Sequence, residues 1–444
     1  MTFDLAIIGG GPAGYHAAVL AARKNKTVIL FERAHLGGIC LNEGCIPTKT
    51  LLYSSKIYNT AINGKKYGIF ADNVKFDYEK IIGRKNKLVR KLNAGIRAKL
   101  NNNLITIVEG EATVTGAKEN ITIVCKEQCF QAEKLLLCTG SHTVLPPIKG
   151  LDINKIWTSK EALETKQIPT SITIIGGGVI GMEFASLFNS FGSQVTVIEM
   201  ANEILSGIDS EIANLLQNEY TKKGVVFHLS SQVTEIAGNT VTFVDENGEK
   251  TISSEQVLIC VGRKPNLEAF ANLNLETVNK RLKTDNTMCT SIHNIYAAGD
   301  ITGYSMLAHT ATREAEVAVN NMFGYSDTMD YSIVPAVVYT NPEIAAVGKT
   351  EQELQTENSN YKVYKTPMTY SGRFVTENEN FDGLCKLITD TNSVLIGAHL
   401  VGNPASEIIT IAAMAIELKM TIEQFQKIIF PHPSVSEIFK ETLS

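Results

Sequence analysis

Residues 5–14 read LAIIGGGPAG, an apolar run that leads directly into a glycine-rich turn. The apolar run predicts a short β-strand, and the alanine-rich residues after it predict a helix. A second strand is predicted at residues 27–31, TVILF, which end at Glu32. This strand–turn–helix–strand order with the spacing G-x-G-x-x-G is typical of a dinucleotide-binding unit.

Each glycine of this fingerprint, and the acid that ends it, has a physical role. Gly9 makes the tight turn, Gly11 lets the backbone approach a pyrophosphate, and Gly14 permits close packing of the helix. The start of the helix offers N–H groups and a positive dipole end to phosphates. Glu32 is placed to accept a hydrogen bond from a ribose hydroxyl. The sequence therefore predicts one nucleotide site at its N-terminal end.

The same pattern occurs a second time. The strand at residues 172–175, ITII, leads into Gly176, Gly178 and Gly181, and Glu199 ends the next strand. The acid follows the first glycine by 23 residues in both copies. Two matching fingerprints predict two dinucleotide sites. No Arg or Lys follows Glu199 closely, which favours NAD over NADP, although Glu199 could also be a solvated strand end.

A third feature lies between the two fingerprints, at residues 37–49, GGICLNEGCIPTK. Residues five apart in an undistorted helix have Cα atoms roughly 8–9 Å apart, whereas a disulfide tolerates about 7 Å at most. If Cys40 and Cys45 pair, the backbone around Gly44 must therefore depart from a helix. A strained pair is easier to reduce, which suits a working disulfide.

Composition restricts the class of protein. The 444 residues are 44% hydrophobic and 20% charged, which is typical of a globular chain of two or three domains. A net charge of −5 argues against nucleic-acid binding, and no apolar run is long enough for a membrane span. The first residues lack a positively charged signal region, and eight scattered cysteines favour a reducing compartment, hence the cytoplasm. Cys138 and Cys260 lie in apolar runs and are expected to be buried, and no metal site is expected.

The remaining segments supply further candidate residues. Residues 104–138 alternate like strands, with turns predicted near Thr115-Gly116 and at 126–128. Thr139 and Gly140 follow directly, and we take both as candidate cofactor contacts. Asp300 follows another apolar strand and could bind a polyol or simply cap a helix.

The last third of the chain, from about Asp327, has no glycine fingerprint and predicts an α+β unit. Near its end His432 lies between two prolines, with Glu437 five residues later. A rigidly held histidine with a carboxylate to orient it suits general acid–base chemistry, although a His-Pro pair by itself is more often structural.

Together these motifs resemble the pyridine nucleotide–disulfide oxidoreductase family over nearly the whole chain, from Gly9 to Glu437. Within the family, residues 40–49, CLNEGCIPTK, are most similar to the dihydrolipoyl (lipoamide) dehydrogenases, whereas glutathione-type reductases usually carry CVNVGCVPKK. The resemblance implies an α/β fold with two Rossmann-like dinucleotide-binding domains, for FAD and NAD, and a C-terminal α+β dimerisation domain. It implies an FAD domain with the redox disulfide at 1–147, an NAD domain at 148–270, a return segment completing the FAD domain at 271–326, and a dimerisation domain at 327–444.

The resemblance also implies roles for individual residues. The FAD site would be formed by Gly9, Gly11, Gly14, Glu32, Lys49, Ala112, Asp300 and Ala308. The NAD site would be formed by Gly176, Gly178, Gly181, Glu199, Val233 and Gly262. The catalytic set would be Cys40 as the thiol that exchanges with substrate, Cys45 as the thiolate against the flavin, Lys49 paired with Glu183 beside the flavin, and His432 of the other subunit, oriented by Glu437, as the base.

The activity implied is oxidation of protein-bound dihydrolipoamide with NAD⁺ as acceptor, by a homodimer. The partner would be the lipoylated acyltransferase of a 2-oxoacid dehydrogenase complex or the lipoylated carrier protein of glycine cleavage. Two positions depart from the usual pattern, with Phe430 for a histidine and Ser434 for a threonine. A glutathione- or mercuric-reductase-like enzyme, or a flavin redox sensor without turnover, are the alternatives.

Overall fold

A computed structural model describes residues 2–117, 120–378 and 381–444. Its α-helices are α1 Pro12–Arg23, α2 Gly38–Glu43, α3 Cys45–Ile62, α4 Tyr78–Leu100, α5 Ser159–Glu164, α6 Val179–Ser190, α7 Ser210–Lys222, α8 Ala308–Met322, α9 Glu351–Thr356, α10 Gly372–Glu377, α11 Ala405–Glu417, α12 Ile422–Gln426 and α13 Ile438–Thr442. Short 3₁₀ turns lie at Gly64–Tyr67, Glu268–Phe270, Met368–Tyr370 and Val435–Glu437.

The strands follow in the same chain order. They are β1 Thr2–Ile8, β2 Val28–Glu32, β3 Ile105–Glu109, β4 Ala112–Ala117, β5 Ile121–Cys125, β6 Gln128–Leu137, β7 Ser141–Thr143, β8 Ser171–Ile175, β9 Gln194–Ile198, β10 Val226–His228, β11 Gln232–Ala237, β12 Thr240–Asp245, β13 Gly248–Ser253, β14 Gln256–Ile259, β15 Arg263–Pro265, β16 Thr277–Val278, β17 Arg281–Leu282, β18 Ile295–Ala297, β19 Ala336–Val338, β20 Ile344–Gly348, β21 Lys362–Thr366, β22 Leu384–Thr389 and β23 Leu395–Val401.

The described part of the chain divides into two compact units. The first comprises the described residues up to Thr50, Glu79–Val144 and Gly262–Tyr331, and the second comprises Leu51–Tyr78, Leu145–Val261 and Ser332–Ser444. No helix among the described residues is both long and apolar enough to cross a membrane.

The first unit is built on a largely parallel sheet of order β3-β2-β1-β6-β5-β4, in which β18 also pairs with β6. Strand β1 runs parallel to both β2 and β6, whereas β4, β5 and β6 form an antiparallel meander. Helices α1 and α8 pack against each other, and α1 lies against β1 and β2. Strands covered on both faces need continuous apolar runs, which is why LAII and VILF are fully buried.

Two local predictions in this sheet have different outcomes. The predicted turn between Cys125 and Cys129 is confirmed, because Lys126 and Glu127 both have positive φ and join β5 to β6. The predicted turn near Thr115-Gly116 is wrong. Strand β4 continues through these residues, and a shift in register between Val114 and Gly116 accommodates the glycine as a bulge.

The second unit contains a parallel sheet of order β10-β9-β8-β14, an antiparallel meander β11-β12-β13, and an antiparallel sheet of order β19-β20-β23-β22-β21. Helix α11 packs on β20 and β23 and closes the core of that last sheet, where Leu387, Ala398 and Leu400 are fully buried. Each unit has a parallel sheet in which a glycine-rich turn follows one strand, β1 or β8, and the C-terminal part of the chain forms an antiparallel sheet. This arrangement confirms the predicted fold class.

Candidate functional site

Cys40 and Cys45 form a disulfide with their Cα atoms 4.6 Å apart. The backbone between them is not one helix. Helix α2 ends at Glu43, Gly44 has φ −149° and ψ −107°, and α3 starts anew at Cys45. A Cβ at Gly44 would lie 3.1 Å from the carbonyl oxygen of Ile39, which leaves little room for a side chain. The break at Gly44 therefore shortens the separation from the helical value to one that a disulfide spans.

The cysteine stretch is joined to the first glycine fingerprint. The N–H of Gly37 donates to the carbonyl of Gly10 at 2.8 Å, and a Cβ on Gly38 would lie 2.8 Å from the Cα of Gly11. Only a residue without a side chain permits that approach. The start of the disulfide helix thus lies directly against the turn predicted to hold a pyrophosphate.

A side-chain brace fixes the orientation of α2. The Asn42 amide nitrogen donates to the carbonyls of Leu36 and Gly38, at 3.0 and 2.8 Å. Its amide oxygen accepts from the amide nitrogen of Asn93, on α4, at 2.8 Å. Asn42 lies between the two cysteines, so these bonds connect the position of α2 to the longer helix α4. The sequence indicated no role for Asn93, because only the folded contact reveals one.

The first fingerprint has the geometry that its spacing predicts. A Cβ on Gly9 would lie 2.1 Å from the carbonyl oxygen of Cys138, and one on Gly14 would lie 1.8 Å from that of Gly9. At Gly11, by contrast, a Cβ would meet only the Cα of Gly38, at 3.9 Å. No side chain caps the start of α1, so its N-terminal dipole faces a space beside Gly11. This turn fits a bound pyrophosphate.

Glu32 closes the turn from the end of β2. Its two carboxylate oxygens accept from the N–H groups of Gly10 and Ala34, each at 2.7 Å. In the second unit Glu199 does the same, accepting from Gly177 at 2.6 Å and from Ala201 at 2.8 Å. The two acids therefore have equivalent positions at the ends of β2 and β9.

The second fingerprint repeats the packing of the first. A Cβ on Gly176 would lie 2.5 Å from the carbonyl oxygen of Cys260, and one on Gly181 would lie 2.0 Å from the carbonyl oxygen of Gly176. A Cβ on Gly178 would meet no atom within 4 Å. Helix α6 again begins without a side-chain cap. The residues present therefore fit a second dinucleotide. Val233, on β11, is partly buried against the core of this unit.

Three other candidate cofactor residues of the first unit, Thr139, Gly140 and Asp300, follow the ends of β6 and β18. Thr139 donates through its hydroxyl to the carbonyl of Asn266 at 2.6 Å, and Gly140 accepts from the Asn266 N–H at 2.9 Å. Asp300 accepts from the Ser141 hydroxyl at 2.5 Å. Ala308 is the first residue of α8, and Ala112 is a buried residue at the start of β4.

Arg263 connects to the same carboxylate through Ser141. Its Nε donates to the Ser141 hydroxyl at 2.8 Å, and its Nη2 donates to the Ser141 carbonyl at 2.8 Å. Burial lowers the pKa of Arg263 despite the opposing charge of Asp300. Gly262, predicted to contact NAD, lies in the first unit and accepts at its carbonyl from the N–H of Val144 at 3.0 Å. Sequence reasoning missed Ser141 and Arg263, whose only signal was their position at strand ends.

Lys49 and Glu183 belong to different units. Lys49 is on α3, one helical turn after Cys45, so the two side chains share a face of that helix. Glu183 is on α6 with 3% of its surface exposed, and its carboxylate accepts from the backbone N–H of Tyr339 at 3.0 Å. A buried carboxylate of this kind requires hydrogen-bond donors.

His432 and Glu437 form the predicted pair in the second unit. The Nδ1 of His432 lies 2.9 Å from Oε1 of Glu437, whose other oxygen accepts from the N–H of Ser434 at 2.8 Å. The Ser434 N–H and then His432 lower the pKa of the Glu437 carboxyl. Because an ionised carboxylate only accepts hydrogen bonds, this hydrogen bond requires a proton on Nδ1, and in the neutral imidazole Nε2 then has a free lone pair. The His432 side chain is 80% exposed, so that lone pair is accessible.

The other cysteines differ from this pair. Cys138 and Cys260 are buried, as predicted, and burial raises the pKa of both thiols far above the ordinary value. Such thiols are poor nucleophiles at neutral pH. Across the described residues, no three His, Cys, Asp or Glu side chains are grouped as a metal site.

The chain belongs to the pyridine nucleotide–disulphide oxidoreductase family. The family's main model matches residues 3–315, and its dimerisation-domain model matches residues 334–443. The chain is therefore a disulfide oxidoreductase, and enzymes of this family use FAD and NAD(H).

Individual relatives agree with this assignment. The chain is 37% identical to dihydrolipoyl dehydrogenase of Geobacillus stearothermophilus, covering 98% of this chain and 94% of the relative. It is 36% identical to a dihydrolipoyl dehydrogenase of Bacillus subtilis, with coverage of 99% and 95%.

Solved structures show the same fold. LpdA from Mycobacterium tuberculosis superimposes with a TM-score of 0.91 at 24% identity, covering 100% of this chain and 99% of that one. The HOCl-induced flavoprotein disulfide reductase RclA from Escherichia coli, solved as a Cu(II) complex, superimposes with a TM-score of 0.88 at 28% identity and the same coverage.

Proposed function

We propose that this enzyme oxidises protein-bound dihydrolipoamide to lipoamide, with NAD⁺ as the final acceptor. The observation that carries the proposal is the Cys40–Cys45 disulfide on helices α2 and α3, with the start of α2 against the first nucleotide-binding turn. The full-length relatives of the chain include dihydrolipoyl dehydrogenases. A working disulfide needs a dithiol to reduce it and a cofactor to reoxidise it, and this position supports both.

The chain's own residues support a thiol–disulfide exchange. The Nε2 of His432, supplied by the other subunit of a homodimer, takes the proton from one substrate thiol, because the thiolate is the nucleophile. The thiolate attacks Sγ of Cys40, the bond to Cys45 breaks, and Cys45 leaves as a thiolate. The second substrate thiol then attacks the substrate sulfur bonded to Cys40, its proton passes to the departing Cys40 sulfur, and the lipoamide disulfide closes. The substrate loses two electrons and the cysteine pair gains them.

FAD, when bound, supplies the route by which those two electrons reach NAD⁺. We assign its pyrophosphate to the turn at Gly11, its ribose to Glu32, and its polyol chain to Asp300. Lys49 and Glu183 are proposed to act beside the flavin. NAD is assigned to the turn at Gly178 with Glu199 on the ribose, and an acid there disfavours the 2′-phosphate of NADP.

We also propose the division into an FAD domain at 1–147, an NAD domain at 148–270, a return segment at 271–326 and a dimerisation domain at 327–444. Pairing of β18 with β6 supports the return segment, because β18 follows the second sheet in sequence but joins the first. The match of residues 334–443 to a dimerisation domain supports a homodimer.

The proposed partner is a lipoylated acyltransferase or a lipoylated carrier protein. The proposed location is the cytoplasm, where the six free cysteines would stay reduced.

The test compares substrates and nucleotides with the purified enzyme. Turnover of dihydrolipoamide with NAD⁺ should exceed turnover with NADP⁺ by at least about 100-fold, because we assign Glu199 to the nucleotide ribose. It should also exceed reduction of glutathione disulfide by NADPH by about 100-fold. A preference for glutathione disulfide and NADPH would refute the proposal in favour of a glutathione-type reductase. No turnover with any pair, despite bound FAD, would favour the redox sensor.

A further inference from the structure

Glu314 is a completely buried acidic residue that the reaction described above does not use. It lies on α8 with 0% of its surface exposed. Burial raises the pKa of its carboxyl to about 7, against hydrogen bonds from Tyr331, Gly299 and Thr302 that lower it. A buried carboxylate is costly unless donors surround it, so its partners indicate what it holds in place.

Those partners converge on one turn. The Glu314 carboxylate accepts from the N–H of Gly299 at 2.5 Å and from the hydroxyl of Thr302 at 3.2 Å. The Tyr331 hydroxyl donates to the same group at 2.6 Å. The single hydroxyl proton of Thr302 is shared between Glu314 and the Gly299 carbonyl at 3.0 Å, and the Thr302 N–H donates to that carbonyl at 2.9 Å. Gly299 itself has φ +86°, a conformation that glycine adopts without steric cost and that a residue with a side chain rarely adopts.

The turn held by Glu314 carries Asp300, directly after Gly299. The Asp300 carboxylate accepts from Ser141 at 2.5 Å, and Ser141 is held in turn by Arg263 at 2.8 Å. Asp300 is thus fixed from both sides: its backbone by Glu314, and its side chain by Ser141. Loss of the Ser141 bond would free the carboxylate to rotate, and loss of Glu314 would loosen the backbone that carries it.

We propose that Glu314 is a positioning residue for FAD, which holds the Gly299–Thr302 turn so that Asp300 presents its carboxylate to the hydroxyls of the cofactor's polyol chain. The inference rests on the proposed assignment of Asp300 to the FAD site. Glu314 does not touch the cofactor. Its contribution is the fixed geometry of a turn that would otherwise have to be ordered on binding.

The three donors also explain the choice of residue. One N–H and two hydroxyl groups point at one side chain, and a carboxylate in its ionised form can accept from all of them. A glutamine keeps one acceptor oxygen for Gly299, and its NH₂ can donate to Tyr331 if that hydroxyl turns. Glu314→Gln should therefore keep the turn, whereas Glu314→Ala removes every bond to it.

The experiment follows FAD release from purified holoenzyme by the rise in flavin fluorescence after dilution, together with FAD rebinding by the apoprotein. Glu314→Ala should release FAD at least tenfold faster, Tyr331→Phe about threefold faster, and Glu314→Gln within twofold of the unaltered enzyme. Glu316→Ala is the matched control, on the same helix and paired with His16 at 3.0 Å, and it should not change release. Thermal melting of each apoprotein shows whether folding is affected.

Release from Glu314→Ala at the unaltered rate would overturn the inference. Equal acceleration in Glu314→Ala and Glu314→Gln, matched by equal losses of apoprotein Tm, would also overturn it, because a general packing role predicts that result. If Glu314→Ala does not fold, Tyr331→Phe decides, since unaltered release there contradicts the inference. Asp300→Ala separates the assignment of Asp300 to the FAD site from the positioning role of Glu314. Normal FAD retention in Asp300→Ala would refute the assignment of Asp300. If Asp300→Ala loses FAD but Glu314→Ala does not, only the role of Glu314 is refuted.

Discussion

Replacing Lys386 by methionine tests the most deeply buried ionic contact of the second unit. The Lys386 side chain, on β22, is 1% exposed, and its Nζ lies 2.7 Å from Asp209, 2.5 Å from Glu351 and 3.2 Å from Glu211. Burial alone lowers the pKa of Lys386, but the hydrogen bonds to Asp209 and Glu351 raise it above the ordinary value on balance. Methionine keeps most of the volume and removes the charge.

The magnitude follows from what remains after the substitution. Asp209 is completely buried and caps the start of α7. Removing one partner of a buried ion pair costs about 3–5 kcal/mol, because the other charge stays buried without compensation. For a unit of this size that corresponds to a fall in Tm of roughly 10 °C. Adding Asp209→Asn keeps the helix cap and removes the stranded charge, so the double variant should regain about 1–2 kcal/mol.

Lys365→Met is the matched control. Lys365 lies directly opposite Lys386 in the register of β21 and β22, and it pairs with Glu211 at 2.7 Å, but it is 40% exposed. Exposed pairs contribute about 0–1 kcal/mol. Thermal and urea unfolding of the single and double variants measure the difference. Equal stability of the Lys386 and Lys365 variants, or no recovery with Asp209→Asn, would refute the reasoning.

Three further predictions concern the site itself. His432→Gln should lose at least about 100-fold in dihydrolipoamide turnover while retaining FAD, because it removes the proposed general base; full activity with bound flavin would contradict that role. Asn93→Ala should shift the equilibrium between the disulfide and the reduced cysteine pair about threefold towards the reduced pair, because it loosens Asn42. Alkylation of the cysteines at fixed ratios of reduced to oxidised dithiothreitol measures this. Asn86→Ala, two turns earlier on the same helix, should have no effect, and equal effects of the two variants would contradict the brace. The pKa of Glu314, raised to about 7, means that the folded state binds more protons below that pH. As the pH rises from about 4.5 to 7, the free energy of unfolding of the enzyme should therefore fall by about 3 kcal/mol relative to that of Glu314→Gln. Parallel plots of unfolding free energy against pH for the two proteins would contradict this.

The sequence was sufficient for features that depend on local pattern. The strands around the Gly9 turn contain continuous apolar runs, those around the Gly176 turn are interrupted only by Thr173 and Thr196 in their apolar runs, and the glycine spacing follows from the close packing that each turn requires. The break at Gly44 was predictable too, since a disulfide between residues five apart is incompatible with a regular helix.

Features that depend on contacts distant in sequence were not predictable. Strand β20, Ile344–Gly348, has small buried residues and no alternation, so its sequence does not identify it as a strand. Gly116 was taken for a turn because a glycine in a strand pattern can mark either a turn or a bulge. Asn93 and Glu314 carry no motif, and their roles come from partners 51 and up to 17 residues away.

The most direct test of the account is anaerobic reduction of the holoenzyme by two electrons per subunit. With dihydrolipoamide as reductant, we predict a long-wavelength absorbance band from the Cys45 thiolate beside oxidised flavin, and alkylation at Cys40 but not at Cys45. Cys45→Ser should abolish the band. A bleached flavin without the band, or alkylation that spares Cys40, would contradict the assignment of the disulfide as the electron relay.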